Sequence, residues 1–354
     1  MKKINSILMA AALVAGSLTS CSVNDEIQTK SSNLQEIKFA TGVQTRGTAF
    51  NGDGSGSDVD NPRLTDFQIY AFNAGTSTSY INGGVYTWES TEYKPDNTYY
   101  WPASGNLDFL AIAPSNELAA APTDAKTFTY TVADDISAQK DLMSATLLNQ
   151  AKPDPIAALN LTFNHLLSKI SLKAKVSTNL TVTIYGVSIC NVKPQISFAD
   201  ADPAVTVGGS AKTYTVDLSE SPVALPTDGS AADLTGSNVL LLVPQTLTAW
   251  DKTSAATAST GSYLKVSLKV QNGTTYALGS AEAPVDIYYA LGTTWTAGKH
   301  YAYTLNFGDP NSTTSDDGFG SDVDGHDEEL SNVAAITFTA SVVGWDDVDT
   351  TIDF

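Results

Sequence analysis

Short runs in which apolar and polar residues alternate recur along almost the whole chain. "LTDFQIYAF", "LDFLAIAP", "KTFTYTV", "SKISLKAKV", "LTVTIYGVSI", "KTYTVDL", "NVLLLVP", "YLKVSLKV", "KHYAYTLNF" and "AAITFTASVVGW" are such runs. Each puts apolar side chains at every second position, the period of a strand with one buried face. Clusters of Gly, Asn, Asp, Pro and Ser separate them. Helical periodicity is scarce, and only "SAQKDLM" and "NHLLSK" are expected as short helical turns. Many short strands with turn signals between them predict an all-β chain built as antiparallel β-sandwiches. The stretch "NQAKPDPIAALN", around Pro153 and Pro155, divides the chain. The expected halves are 47–156 and 157–354, a length that suits two domains.

The N-terminus reads as a processing segment. Lys2 and Lys3 precede an apolar core from Ile7 to Gly16, and Leu18-Thr19-Ser20-Cys21 fits a bacterial lipobox. Residues 1–20 are then a signal peptide, cut before Cys21, whose thiol is acylated, as with palmitate. The plainer reading is an ordinary signal peptide with an incidental cysteine. Losing Lys2 and Lys3 takes the formal charge from -19 to -21. So acidic a chain does not bind nucleic acid through phosphates and does not cling to anionic lipid. Cys190 is the one cysteine after Cys21, so no disulfide network can form and packing must supply stability. No second apolar run is long enough to cross a bilayer.

Motifs of catalysis are missing: there is no GxSxG, P-loop, HExxH or CxxC, and no catalytic residue is assigned. His165, in "LTFNHLLSK", reads as a hydrogen-bonded packing residue, and His300, in "AGKHYAYTL", as a strand start. His326 sits in an acidic loop that would favour its protonated form. No two histidines have metal-ligand spacing. The loops Asn51–Asn61 and Asp309–Glu329 share "GSDVD" and read as solvated. Calcium ligation by Asp322, Asp324 and Asp327 fails the EF-hand pattern, because His326 and Val333 fall where ligands are needed. No metal and no cofactor is expected. Aromatic stretches such as "TYYWP" could line a sugar site, but in a β-rich chain they more often fill the core and cross-strand pairs.

Two segments at opposite ends share one pattern. Ile37, Phe39, Thr41 and Val43 alternate with polar or small residues, and the run ends near Arg46–Gly47. Arg46 is one of only two arginines, the other being Arg63. In the tail, Val348, Thr350, Ile352 and Phe354 alternate with Asp349, Thr351 and Asp353. Arg46 reads either as a basic residue closing a strand or as a protease site, with Gly47 keeping the bond extended and accessible. The tail either pairs within its own domain or is available to another sheet, since a period of two does not choose its neighbour.

Taken in order, several of these pieces resemble the Bacteroidetes fimbrillin family, the subunits of type V pili. The pieces are "IKFATGVQTRGT", "FQIYAF", "YYWPASGNLDFLAIAP", "KDLMSA", "LTFNHLLSKISLKAKV", "LLLVPQTL", "WTAGKHYAYTLNF" and "ITFTASVVGWDDV". "SVNDE" after Cys21 also resembles the surface-export signal of Bacteroidetes lipoproteins. The resemblance implies two tandem transthyretin-like β-sandwich domains. It implies export as an outer-membrane lipoprotein and cleavage by an arginine-specific protease, here matching Arg46–Gly47. The cut would remove a propeptide, 21–46, with the strand of Ile37, Phe39, Thr41 and Val43. A strand from another subunit could fill the groove, with Val348, Thr350, Ile352 and Phe354 as donor. That makes a head-to-tail homopolymer or mixed pilus. The expected role is a structural, non-enzymatic subunit. The alternatives are a tip or accessory adhesin that binds a glycan or host protein, and a surface lipoprotein enzyme acting on polysaccharide.

Overall fold

The computed structural model describes residues 35–43, 64–155, 157–176, 180–199, 206–236, 240–253, 255–307, 337–344 and 350–353, with backbone alone at 42–43, 199, 337–344 and 350–353. The strands of the first half are β1 (Phe39–Val43), β2 (Asp66–Asn73), β3 (Ser79–Glu89), β4 (Glu92–Pro95), β5 (Leu107–Ala113), β6 (Thr127–Thr131), β7 (Met143–Gln150) and β8 (Leu159–His165). The second half holds β9 (Ser168–Val176), β10 (Leu180–Val192), β11 (Gln195–Ala199), β12 (Thr206–Gly208), β13 (Lys212–Asp217), β14 (Val223–Ala224), β15 (Ala232–Asp233) and β16 (Leu240–Leu242). It continues with β17 (Thr246–Leu247), β18 (Tyr263–Asn272), β19 (Thr275–Leu278), β20 (Val285–Ala290), β21 (Thr293–Thr294), β22 (Lys299–Phe307), β23 (Thr337–Gly344) and β24 (Thr350–Asp353).

The chain is all-β and built of stacked β-sheets in a tandem sandwich. One seven-stranded sheet runs β1-β8-β7-β5-β2-β3-β4. Its inner face carries Phe67, Ile69, Phe109, Ala111, Leu161 and Phe163 from alternate positions of β2, β5 and β8. The opposite face of β2 and β5 supplies Tyr70, Phe72, Leu110 and Ile112 to a second, larger core. Both faces of β5 are therefore covered, which is why all of Leu107–Ala113 is buried.

That larger core is lined by β9, β10, β18 and β22. Along β10 the side chains that enter this core are Val182 and Ile184, then Val187, Ile189 and Val192. The phase changes because the register with β18 shifts between Ile184 and Gly186, a bulge that returns the apolar side chains to the core. A small sheet, β12-β11-β6, joins the halves, with Phe128 of β6 stacked on Phe198 of β11 at 4.6 Å.

Most neighbours are antiparallel, but β1 lies parallel to β8 and β9 parallel to β22. Leu159–His165, beyond the 156/157 division read from sequence, pairs with both β1 and β7 of the first sheet. "SAQKDLM" is partly helical, since a single 3-10 turn covers Ile136–Ala138. "NHLLSK" is not a helical turn. β8 ends at His165, β9 starts at Ser168, and the corner between them buries both Leu166 and Leu167. The corner takes only these two residues, and both of their side chains enter the same core.

Candidate functional site

The first sheet curls, and β1 occupies the place where its ends meet. On one edge, residues Phe39–Val43 pair in register with Leu159–Phe163 of β8, and the Leu159 amide donates to the Lys38 carbonyl at 2.8 Å. On the other edge lies the segment after β4. The Ile37 amide donates to the Tyr99 carbonyl at 2.8 Å, and the Trp101 amide donates to the Gln35 carbonyl at 2.9 Å. Residues 35–38 thus bridge two backbone edges while Phe39–Val43 ladder to β8, and taking the segment away would leave both edges unpaired.

The alternation in "IKFATGV" decides which side chains enter. Ile37, Phe39 and Thr41 are buried, whereas Lys38 is exposed near Glu36 and Glu92. The Phe39 ring meets three aromatic rings edge to face: Tyr86 at 5.0 Å, Phe109 at 5.5 Å and Phe67 at 6.3 Å. Edge-to-face pairs add about 0.5–1.5 kcal/mol beyond burial. Tyr86 donates to the Ile37 carbonyl at 3.4 Å. Burial pushes the Tyr86 phenol up, with Tyr99, Glu36 and Asp96 adding to the effect, so it stays a neutral donor. Thr41 Oγ1 donates to the Tyr93 phenol at 3.2 Å, and that phenol donates to the Leu64 carbonyl at 2.8 Å. The Gln35 side-chain amide reaches the Pro153 carbonyl at 3.0 Å.

The segments nominated from sequence are only partly described. Cys21, Arg46, Gly47, Val348 and Phe354 lie outside the described residues, as do both acidic loops with Asp322, Asp324, Asp327 and His326. Val43 ends β1 opposite Phe163. Thr350 and Ile352 lie on β24, opposite Val342 and Ala340 of β23, and β24 is the last strand of its own sheet. The described part of the tail, Thr350–Asp353, is therefore seated on its own half, through β23.

Two histidines are accounted for by packing. His165 Nδ1 lies 2.8 Å from the Asp141 carboxylate. His300 is the second residue of β22, with Nε2 2.8 Å from Ser171 Oγ. Burial, then Lys169 and Lys173, lowers the His300 pKa to about 4. Cys190 is buried, and burial raises its thiol. The sequence alone does not mark Gln35, Tyr86 or Tyr93, and it marks Tyr99–Trp101 only as aromatic residues. "TYYWP" was the available signal, as an aromatic run that resumes next to an edge.

An apolar groove with two unequal backbone edges, filled by the chain's own early strand, defines a strand-completed β-sandwich module. The chain belongs to the fimbrillin-like family, whose model matches residues 57–319. Membership makes it a pilus-related subunit of the cell surface that assembles with other fimbrial subunits. Its fold is similar to a fimbrial protein from Bacteroides vulgatus, at 15% identity and a TM-score of 0.55, covering 88% of this chain and 99% of that one. A protein from Bacteroides uniformis assigned to cell adhesion aligns at 18% identity and TM-score 0.44, over 89% of this chain and 98% of that chain. The fimbrial anchor protein Mfa2 from Porphyromonas gingivalis aligns at 8% identity and TM-score 0.41, over 90% and 99%. Comparison with curated proteins returned no match.

Proposed function

We propose that this chain is a structural subunit of a type V pilus, made as an outer-membrane lipoprotein acylated at Cys21. An arginine-specific protease cuts Arg46–Gly47, the propeptide 21–46 leaves with β1, and a strand from another subunit takes its place. The observation that carries this reading is the position of β1. It closes the first sheet with Ile37, Phe39 and Thr41 buried, and it ends at Val43, just before Arg46. One cut there separates the strand from the body that it completes.

The donor in this reading is the tail, with Val348, Thr350, Ile352 and Phe354 facing the groove. Its seat is an edge, bonded to β23 alone among the described residues. Leaving an edge breaks one ladder rather than two. Burying a large apolar side chain stabilises by roughly 1.5–3 kcal/mol, so tail and β1 are near balance in contacts and the cut removes the intramolecular competitor. One groove and one donor per subunit give an open head-to-tail filament. No enzymatic role is included, and partners are other fimbrillin subunits in a homopolymer or mixed pilus.

A second reading, a tip or accessory adhesin of the same pilus, is favoured by one observation: β24 is paired within its own half. A terminal subunit has no need to donate. The test is assembly after cleavage. Arg46→Ala should block polymer formation while leaving the fold intact, and deleting 348–354 should permit cleavage but stop chain growth. Long filaments from the truncated, cleaved protein would exclude the tail as donor.

A further inference from the structure

The two ends of β1 are held unequally. Among the described residues, the Val43 end of the strand is laddered to β8 and makes one side-chain bond, from Thr41 to Tyr93. Toward Gln35 it is gripped on both edges. Leu159 bonds Lys38 from one side, and Tyr99 and Trp101 bond Ile37 and Gln35 from the other. Gln35 and Tyr86 add side-chain bonds at the same end.

The gripping segment is itself fixed. Tyr80 donates its hydroxyl to the Tyr100 carbonyl at 2.7 Å. Tyr99 lies so close over Gly84 that a Cβ there would come within 2.7 Å of the ring, and the Tyr99 hydroxyl bonds Asp96 at 3.2 Å. Trp101 is buried with its ring edge-on to Phe109 at 5.8 Å.

We infer that Tyr99–Trp101 is a latch: it holds the Gln35 end of β1 to the last, so that β1 peels from its Val43 end and a replacing strand enters in the same direction. This rests on the strand-exchange reading above. A cut at Arg46 frees the near end of the strand and leaves the far end clasped. The latch reads backbone, at the positions of the Gln35 carbonyl and the Ile37 amide. A replacing strand must therefore present a carbonyl and an amide at those positions, and so carry a residue other than proline where Ile37 stands.

Amide hydrogen exchange resolved by residue, on the intact full-length chain, tests the latch without any cut. The Ile37 and Trp101 amides should exchange slowly and at matching rates, more slowly than the ladder amides between Thr41–Val43 and Leu161–Phe163. Tyr80→Phe removes one hydrogen bond at a side chain that is 40% exposed, so the fold should hold. It should speed exchange at Ile37 and Trp101 by up to roughly tenfold and leave the Val43 end unchanged. Faster exchange at Ile37 and Trp101 than at the Val43 end in the unsubstituted chain would overturn the inference. So would a Tyr80→Phe chain with unchanged rates there. Either result leaves the cleavage reading standing, and assembly by the Arg46→Ala chain would remove that reading while leaving the exchange order intact.

Discussion

Thr41 gives its hydroxyl hydrogen to the Tyr93 phenol at 3.2 Å, and both residues are buried. The phenol passes its own hydrogen to the Leu64 carbonyl at 2.8 Å. The end of β1 is thereby tied to Leu64, just ahead of β2. Thr41→Val should cost about 0.5–1.5 kcal/mol in denaturant unfolding, and the cycle with Tyr93→Phe should be non-additive. Additive losses would mean that the pair does not interact.

Phe39→Ala removes the ring that meets Phe67, Tyr86 and Phe109. It should destabilise the chain by about 3–5 kcal/mol. Lys38→Ala, on the exposed face of the same strand, should stay within about 0.5 kcal/mol. Equal effects at the two positions would contradict the assigned faces.

How much of this was legible in the sequence depended on the residue. The alternation of Ile37, Phe39 and Thr41 announces a strand and its buried face, and the side chains follow that pattern. The same alternation could not give the parallel pairing with β8, because periodicity fixes a face and not a neighbour. Tyr99–Trp101 was legible only as an aromatic run, since its contribution is two backbone bonds that any residue types can supply. At "NHLLSK" the structure has a two-residue corner between strands in place of the expected helical turn, with Leu166 and Leu167 both buried. For the tail, alternation left both seats open, and the neighbour found for Ile352 is Ala340 of its own half.

Tyr303 and Trp295 form a buried pair, with Trp295 Nε1 donating to the Tyr303 hydroxyl at 2.8 Å. Burial is the leading cause that pushes the Tyr303 phenol up to about 12. Tyr303→Phe strips the indole of that acceptor and should cost about 1–3 kcal/mol. A thermal midpoint unchanged by the substitution would contradict the contact.

His300 should make the chain acid-sensitive in a defined window. Its folded pKa, about 4, lies below the ordinary histidine value of 6.5, so between these values the unfolded chain binds the extra proton. Its contribution is complete above pH 6.5 and is lost as pH falls toward about 4. Unfolding followed across that range should show a shallower decline for His300→Gln than for the parent. Identical slopes would show that His300 is not the titrating group.

The central claim is that β1 belongs to a propeptide and is absent from the assembled subunit. The mass of the N-terminal peptide from surface-shed or pilus-associated protein measures this directly. A terminus at Gly47 is the expected result. Assembled material that still carries residues 21–46 would contradict the account, because β1 would then still fill its own groove.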